Sequence, residues 1–130
     1  MSSVTRFMLS NRARLALTDI RNNIHLAQQF AAGLSVEALK ADRRTFYAVI
    51  RCLEIISEAA RRLPQSLRNR HPELPWRAIM GAGNVYRHDY DNVAEEIVWR
   101  TVQNNLAPLL AAVERELARA PKDTEGDQKP

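Results

Sequence analysis

The densest chemistry in the chain lies in Gly81-Ala82-Gly83-Asn84-Val85-Tyr86-Arg87-His88-Asp89-Tyr90-Asp91, where an imidazole, a guanidinium, a carboxamide, two phenols and two carboxylates crowd eleven positions. An imidazole titrates near neutral pH, so His88 is the candidate acid or base. On a helix Asn84 and His88 share a face, whereas Arg87 points about 100° away. A helix end rich in polar residues is also what a satisfied capping network looks like, and spacing alone leaves both readings open. The other two histidines have less around them. His25 follows Ile24 in an apolar helical pattern and His71 lies in a proline-rich stretch, neither with a local cluster of polar partners. Glu54 and Glu58, one helical turn apart, could form half of a carboxylate-bridged metal pair. The residues three before the histidines are Asn22, Arg68 and Val85, however, so no Glu-x-x-His accompanies them. Ion pairs with Arg51, Arg61 or Arg62 on the same helix are expected instead, and no metal. The chain has no G-x-x-x-x-G-K-[ST] loop, and Gly81-Ala82-Gly83 lacks the remaining glycine of a dinucleotide site, which excludes P-loop hydrolysis and predicts no cofactor.

The elements that hold these residues read as helices. Ala13, Leu17, Ile20, Ile24, Ala27 and Ala31 recur at alternating spacings of four and three and end at Gly33. Ser35 to Lys40 predicts a short turn or helix, with Asp42 as the N-cap of the next element. Phe46, Val49, Leu53, Ile56, Ala60 and Leu63 repeat the pattern until Pro64 stops it. A loop follows to Pro75, which starts a third helix as its first residue, with Trp76, Ile79 and Met80 on its apolar face. Gly81 and Gly83 weaken that helix, which points to close packing or to the approach of another chain or ligand. Asp89 and Asp91 mark a break, Asn92-Val93-Ala94-Glu95 has the layout of a capping box, and Ile97, Val98, Val102, Leu106, Leu109, Val113 and Leu117 carry a fourth helix to about Ala118. Pro108 should kink it by depriving the Asn104 carbonyl of its partner. The expectation is an all-α up-and-down bundle of four main helices over residues 1–120, with a disordered tail at 121–130.

Composition narrows the class further. The 130 residues carry 19 Lys+Arg against 15 Asp+Glu, and only Lys40, Lys122 and Lys129 are lysines, which leaves 16 arginines. Guanidinium forks can grip phosphate, so an RNA or nucleotide partner is permitted. The plainer reading is that they lie on solvated helix faces paired to Glu. The single cysteine, Cys52, sits in an apolar run and reads as a small buried hydrophobe. Trp76 and Trp99 read as core or interface anchors rather than base-stacking platforms. Met1 to Leu9 has no apolar signal-peptide core and no stretch reaches the ~20 apolar residues of a membrane span, so a cytoplasmic protein is expected.

Leu74-Pro75-Trp76-Arg77-Ala78-Ile79, followed by Asn84 and His88-Asp89-Tyr90, resembles the HepT-like branch of the HEPN superfamily. Ala48 to Ala60 resembles the second long helix of that family, and the resemblance runs from about Ala13 to Leu117. It implies a homodimeric helical bundle acting as the toxin of a toxin–antitoxin pair: a metal-independent ribonuclease silenced by a minimal nucleotidyltransferase antitoxin that transfers AMP to a motif tyrosine. His88 and Tyr90 match the second half of the family's Arg-x4–6-His-x-Tyr motif, and Asn84 matches an asparagine that commonly follows the arginine. The resemblance thus makes Tyr90 the AMP acceptor, with Tyr86 one turn earlier as a decoy.

The first half of the motif departs from the family: Gly83 stands five residues before His88, with Ala82 and Gly81 at the next two offsets. Attack of an RNA 2′-hydroxyl on the adjacent phosphate needs a base, an acid and a cation for the developing charge. The expected assignment is His88 as acid/base, Arg87 as the phosphate-charge partner and Asn84 as an orienting group, with two copies of His88 across a two-fold supplying both proton transfers. The alternative is a non-catalytic helical partner of a nucleotidyltransferase, in which the absent arginine records lost cleavage.

Overall fold

The computed structural model describes residues 9–89 and 93–119, and every regular element among them is helical. The first helix, α1 (Asn11–Ala31), is capped by Ser10, whose Oγ accepts from the Ala13 amide at 3.0 Å. It closes at Gly33, whose φ of +75° is the left-handed geometry that glycine adopts without strain. Ser35 caps α2 (Val36–Ala41) through the Ala38 amide. Asp42 caps α3 (Arg43–Arg61) through the Thr45 amide, as the sequence predicts. A short α4 (Gln65–Asn69) buries Leu67. Then α5 (Trp76–His88) begins after Pro75, which is its N-cap rather than its first residue.

The last helical stretch is built in three parts: α6 (Glu95–Arg100), a π-helical turn at Thr101–Asn105 and α7 (Leu106–Arg119). The expected capping box is replaced by a different start. Ala94 is the N-cap, Glu95 is the first helical residue, and its carboxylate accepts from Arg43 at 2.8 Å. The Pro108 effect takes the form of a wide turn just upstream, in which the Leu106 amide donates to the Thr101 carbonyl five residues back. A proline cannot donate to residue 104, and the wider turn keeps neighbouring amides bonded around that gap.

The helix α1 packs against α3 and α7, and α3 carries α5 on its other side. The apolar stripes meet in a core of Leu17, Ile20, Ile24, Phe46, Val49, Val98 and Val113, each side chain fully enclosed. Burial of this kind contributes roughly 1.5–3 kcal/mol per large side chain. Cys52 is buried as expected, and burial pushes its thiol pKa up. Trp76 and Trp99 are half-buried anchors whose indole N–H groups donate to the His71 and Leu34 carbonyls at 2.9 and 3.0 Å. No helix among the described residues is long and apolar enough to cross a membrane.

One polar cluster is embedded in this framework. Glu116 on α7 is fully buried, yet its two oxygens accept from Arg70 Nη2 at 2.8 Å, Arg70 Nε at 3.1 Å and His71 Nε2 at 2.6 Å. His71 therefore has partners after all, supplied from 45 residues away rather than from its neighbours. Burial raises the Glu116 pKa, but the hydrogen bonds from Arg70 and His71 outweigh it and hold the group below the ordinary carboxylate value. The cluster staples the loop before α5 to α7. The expected tail at 121–130 lies outside the described residues.

Candidate functional site

The site is the last two turns of α5 and the part of α3 they rest on. What brings the helices together is a small-residue contact. Gly83 packs on Ser57 so closely that an added Cβ would lie 2.7 Å from the Ser57 hydroxyl oxygen. That hydroxyl accepts from the Gly83 amide at 2.8 Å and donates to the Met80 carbonyl at 3.0 Å. The same carbonyl accepts from Arg61 Nη1 at 3.1 Å. Gly81 is different, since among the described residues outside its own stretch of helix nothing lies within 4 Å of where its Cβ would be. Of the two explanations offered for these glycines, close packing holds for Gly83 and does not hold for Gly81.

Arg87 leaves the helix toward α3. Its Nη1 donates to Glu58 Oε2 at 2.6 Å and lies 3.5 Å from Glu54 Oε2, while its Nη2 donates to Asn84 Oδ1 at 2.9 Å. The backbone phase sets Arg87 about 100° from His88, and the long side chain recovers part of that separation by bending back to Asn84. The Arg87 hydrogen bond draws the Glu58 pKa below its ordinary value against a small desolvation effect, and the Glu58 hydrogen bond raises that of Arg87. The expected same-helix pairing holds for Glu54, which meets Arg51 at 3.1 Å, but Glu58 pairs across helices with Arg87. Spacing could not reveal this, because it depends on how α5 lies on α3. Among the described residues no group of three or more His, Cys, Asp or Glu side chains is arranged to hold a metal ion.

His88 is exposed at the end of α5, with Asn84 exposed one turn before it, so the two share a solvent-facing stripe. His88 makes no hydrogen bond or ion pair among the described residues. Tyr90 lies outside the described residues. Tyr86 is buried between α5 and the π turn, where desolvation raises its phenol pKa and a hydrogen bond with Thr101 opposes the rise. Beside it runs a groove of about 410 Å³ between α5 and the last helical stretch, with Leu53, Ile56, Leu106 and Leu109 along its floor and Ala78, Ile79 and Ala82 on one wall. Chemically, the end of α5 offers an open imidazole, a carboxamide and a guanidinium within one turn. That set can move protons and meet an anion.

Comparison with known proteins agrees with this picture. A family model described as ribonuclease HepT-like matches residues 20–116. A protein of Thermococcus cleftensis described as a probable ribonuclease HepT is 34% identical over 99 residues, covering 76% of this chain and 90% of its own. One of Methanocaldococcus jannaschii, described as a putative RNase, is 31% identical over 114 residues, covering 88% and 91%. No solved structure gives a significant match.

Proposed function

The chain belongs to the HepT-like ribonuclease family, and from that premise we propose that it is the RNase toxin of a toxin–antitoxin pair, cleaving RNA without a metal ion and acting in the cytoplasm. The observation that carries the reading is the Arg87–Asn84 hydrogen bond of 2.9 Å beside an open His88, which draws a cation to the edge of the stripe that holds the acid/base group. In this reaction His88 takes the proton of the RNA 2′-hydroxyl as it attacks the adjacent phosphorus. Arg87 faces the charge that builds on the non-bridging oxygens, and Asn84 orients either the phosphate or the guanidinium. The leaving 5′-oxygen is protonated by the second imidazole of a homodimer, and the product is a 2′,3′-cyclic phosphate.

The homodimer is proposed to form on the side of α5 next to the groove, where Ala78 and Val85 are exposed and Ala82 is half-buried beside the apolar floor. Silencing is assigned to a minimal nucleotidyltransferase that transfers AMP from ATP to the Tyr90 hydroxyl, two residues from His88, with pyrophosphate leaving.

A second reading is favoured by one specific contact. Glu58 and Glu54 hold Arg87 in the resting chain, and the Ser57 contact leaves no room for a side chain at position 83. A non-catalytic helical partner of the nucleotidyltransferase would have this appearance. Incubating purified protein with single-stranded RNA in EDTA separates the two: the toxin yields cyclic-phosphate ends and His88→Ala does not, with the circular dichroism spectrum unchanged. A folded His88→Ala variant that cleaves at the wild-type rate overturns the assignment. Intact RNA in every arm, together with harmless expression in cells, supports the partner reading.

A further inference from the structure

The helix α5 presents more to solvent than its catalytic end. Counting back from His88, the positions that share its face are Asn84, Gly81 and Arg77, at offsets of four, seven and eleven, which keep within about 40° of one line along the helix. All four residues are exposed. Arg77 makes no ion pair or hydrogen bond among the described residues, so its guanidinium is available to an external anion. Gly81, in the middle, has nothing within 4 Å of its missing side chain, so a bulky ligand can approach the helix backbone there. Arg61 flanks the stripe from the end of α3, with Nη1 on the Met80 carbonyl and its exposed guanidinium at the edge of the same surface.

Three nearby glutamates sit beside arginines, and the exposed Asp89 next to His88 has an interaction of its own. Glu58 is held by Arg87, Glu54 by Arg51, and Glu73 lies 3.9 Å from Arg115. The stripe thus has the Arg77 guanidinium at one end, His88 at the other and an open gap at Gly81 between them. A core-facing helix has no need for a glycine at position 81, and a helical Gly costs about 1 kcal/mol relative to Ala.

We propose that this stripe is the track for a single-stranded RNA. The strand's reacting phosphate lies at His88, its backbone passes over Gly81, and Arg77, about 16 Å away along the helix, grips a phosphate several nucleotides from the cleavage point. The inference rests on the ribonuclease reading and adds to it a length requirement: substrates too short to reach Arg77 lose that contact. Arg77 is a binding residue, and it takes no part in the proton transfers.

The test uses the whole protein and two probes. Binding is measured with a fluorescein-labelled 2′-O-methyl dodecanucleotide, which has no free 2′-hydroxyl and stays intact, and cleavage is measured with a dinucleotide. Arg77→Ala is expected to weaken dodecanucleotide binding about fivefold at moderate salt. It should also lower the slope of log affinity against log salt by about 0.7. Dinucleotide cleavage stays at the wild-type rate, and Arg77→Lys restores most of the loss. Gly81→Phe, which fills the gap without changing charge, is expected to weaken the same binding. Unchanged affinity and salt slope in Arg77→Ala, alongside normal RNA cleavage, overturn the track and leave the ribonuclease reading intact. If Arg77→Ala instead changes the sedimentation coefficient of the RNA-free protein, the stripe is a subunit contact, which also overturns the track. A wild-type protein that neither binds the dodecanucleotide nor cleaves either RNA overturns both readings together.

Discussion

The amide of Gly83 donates to the Ser57 hydroxyl at 2.8 Å, and no other residue type fits at position 83 without moving that hydroxyl. The contact sets how closely α5 lies on α3, and so where the last turn of α5 projects its polar groups. An arginine at position 83, where the shortest form of the family motif would place it, is incompatible with this approach of the two helices. In the proposed site the guanidinium comes instead from Arg87, one turn further on.

The two glycines of α5 should therefore respond in opposite ways to the same change. Gly81→Ala places a methyl group in open space and gains helix propensity, so it should stabilise by about 0.5–1 kcal/mol. Gly83→Ala gains the same propensity but overpacks against Ser57, which costs about 1–3 kcal/mol, so its net effect is destabilising. Urea unfolding of the two variants gives the signs directly, and Ser57→Gly combined with Gly83→Ala should recover part of the second loss.

Neutralising Glu58 tests whether the resting contact restrains Arg87. The pair is exposed and contributes little to folding, so Glu58→Gln should leave the melting temperature nearly unchanged. The carboxylate competes with RNA phosphate for the guanidinium, and its removal is expected to lower KM for an RNA oligonucleotide about threefold with kcat little altered. A fall in kcat at constant KM would mean that Glu58 orients Arg87 for the reaction instead.

The Arg70–His71–Glu116 cluster gives the protein an acid limit. The Glu116 pKa is depressed in the folded state, so its contribution is fully present above the unfolded carboxylate value and is lost as pH falls through the lower, folded value. Thermal melts should thus show a decline that sets in below about pH 4.5. Glu116→Ala leaves Arg70 and the enclosed His71 without their acceptor and should cost about 3 kcal/mol at neutral pH. It should also flatten the acid decline.

Adenylylation should distinguish the two tyrosines. Tyr86 is 8% exposed and its phenol is hydrogen-bonded with Thr101, so the hydroxyl cannot reach an attacking position without opening the helix pair. Incubation with the partner nucleotidyltransferase, ATP and magnesium should modify the peptide at Tyr90 and not at Tyr86, read by tandem mass spectrometry. Tyr86→Phe should leave the yield unchanged, whereas Tyr90→Phe should abolish it.

Local signals reported local structure well. The stripes from Ala13 to Ala31 and from Phe46 to Leu63, the cap at Asp42 and the stop at Gly33 follow from periodicity and from side chains that bond their own turn. The arrangement of the site was less legible because its defining contacts join distant segments. Glu58 meets Arg87 across 29 positions and His71 meets Glu116 across 45, and each pair forms only once helices with uninformative spacings are packed. The glycine at position 83 read simply as a departure from a motif, and its packing reason required the position of Ser57. The wide turn at Thr101–Asn105 could be anticipated only as a disturbance near Pro108, since a missing amide can be accommodated by a bend or by a change of helix type.

That wide turn also holds one residue more than an ordinary turn, and α-helical geometry resumes at Leu106. Val98, Val102, Leu106, Leu109, Val113 and Glu116 are all buried, before, within and after it, at the threes and fours of an ordinary helix face. Glu116, two turns past Pro108, ends that face against Arg70 and His71. A one-residue deletion at the wide turn can be taken up by narrowing it to an ordinary turn, whereas the same deletion between Leu109 and Glu116 turns the carboxylate by about 100° out of the clamp and releases the loop in front of α5. The π turn is slack in the chain, and the helix beyond it is not.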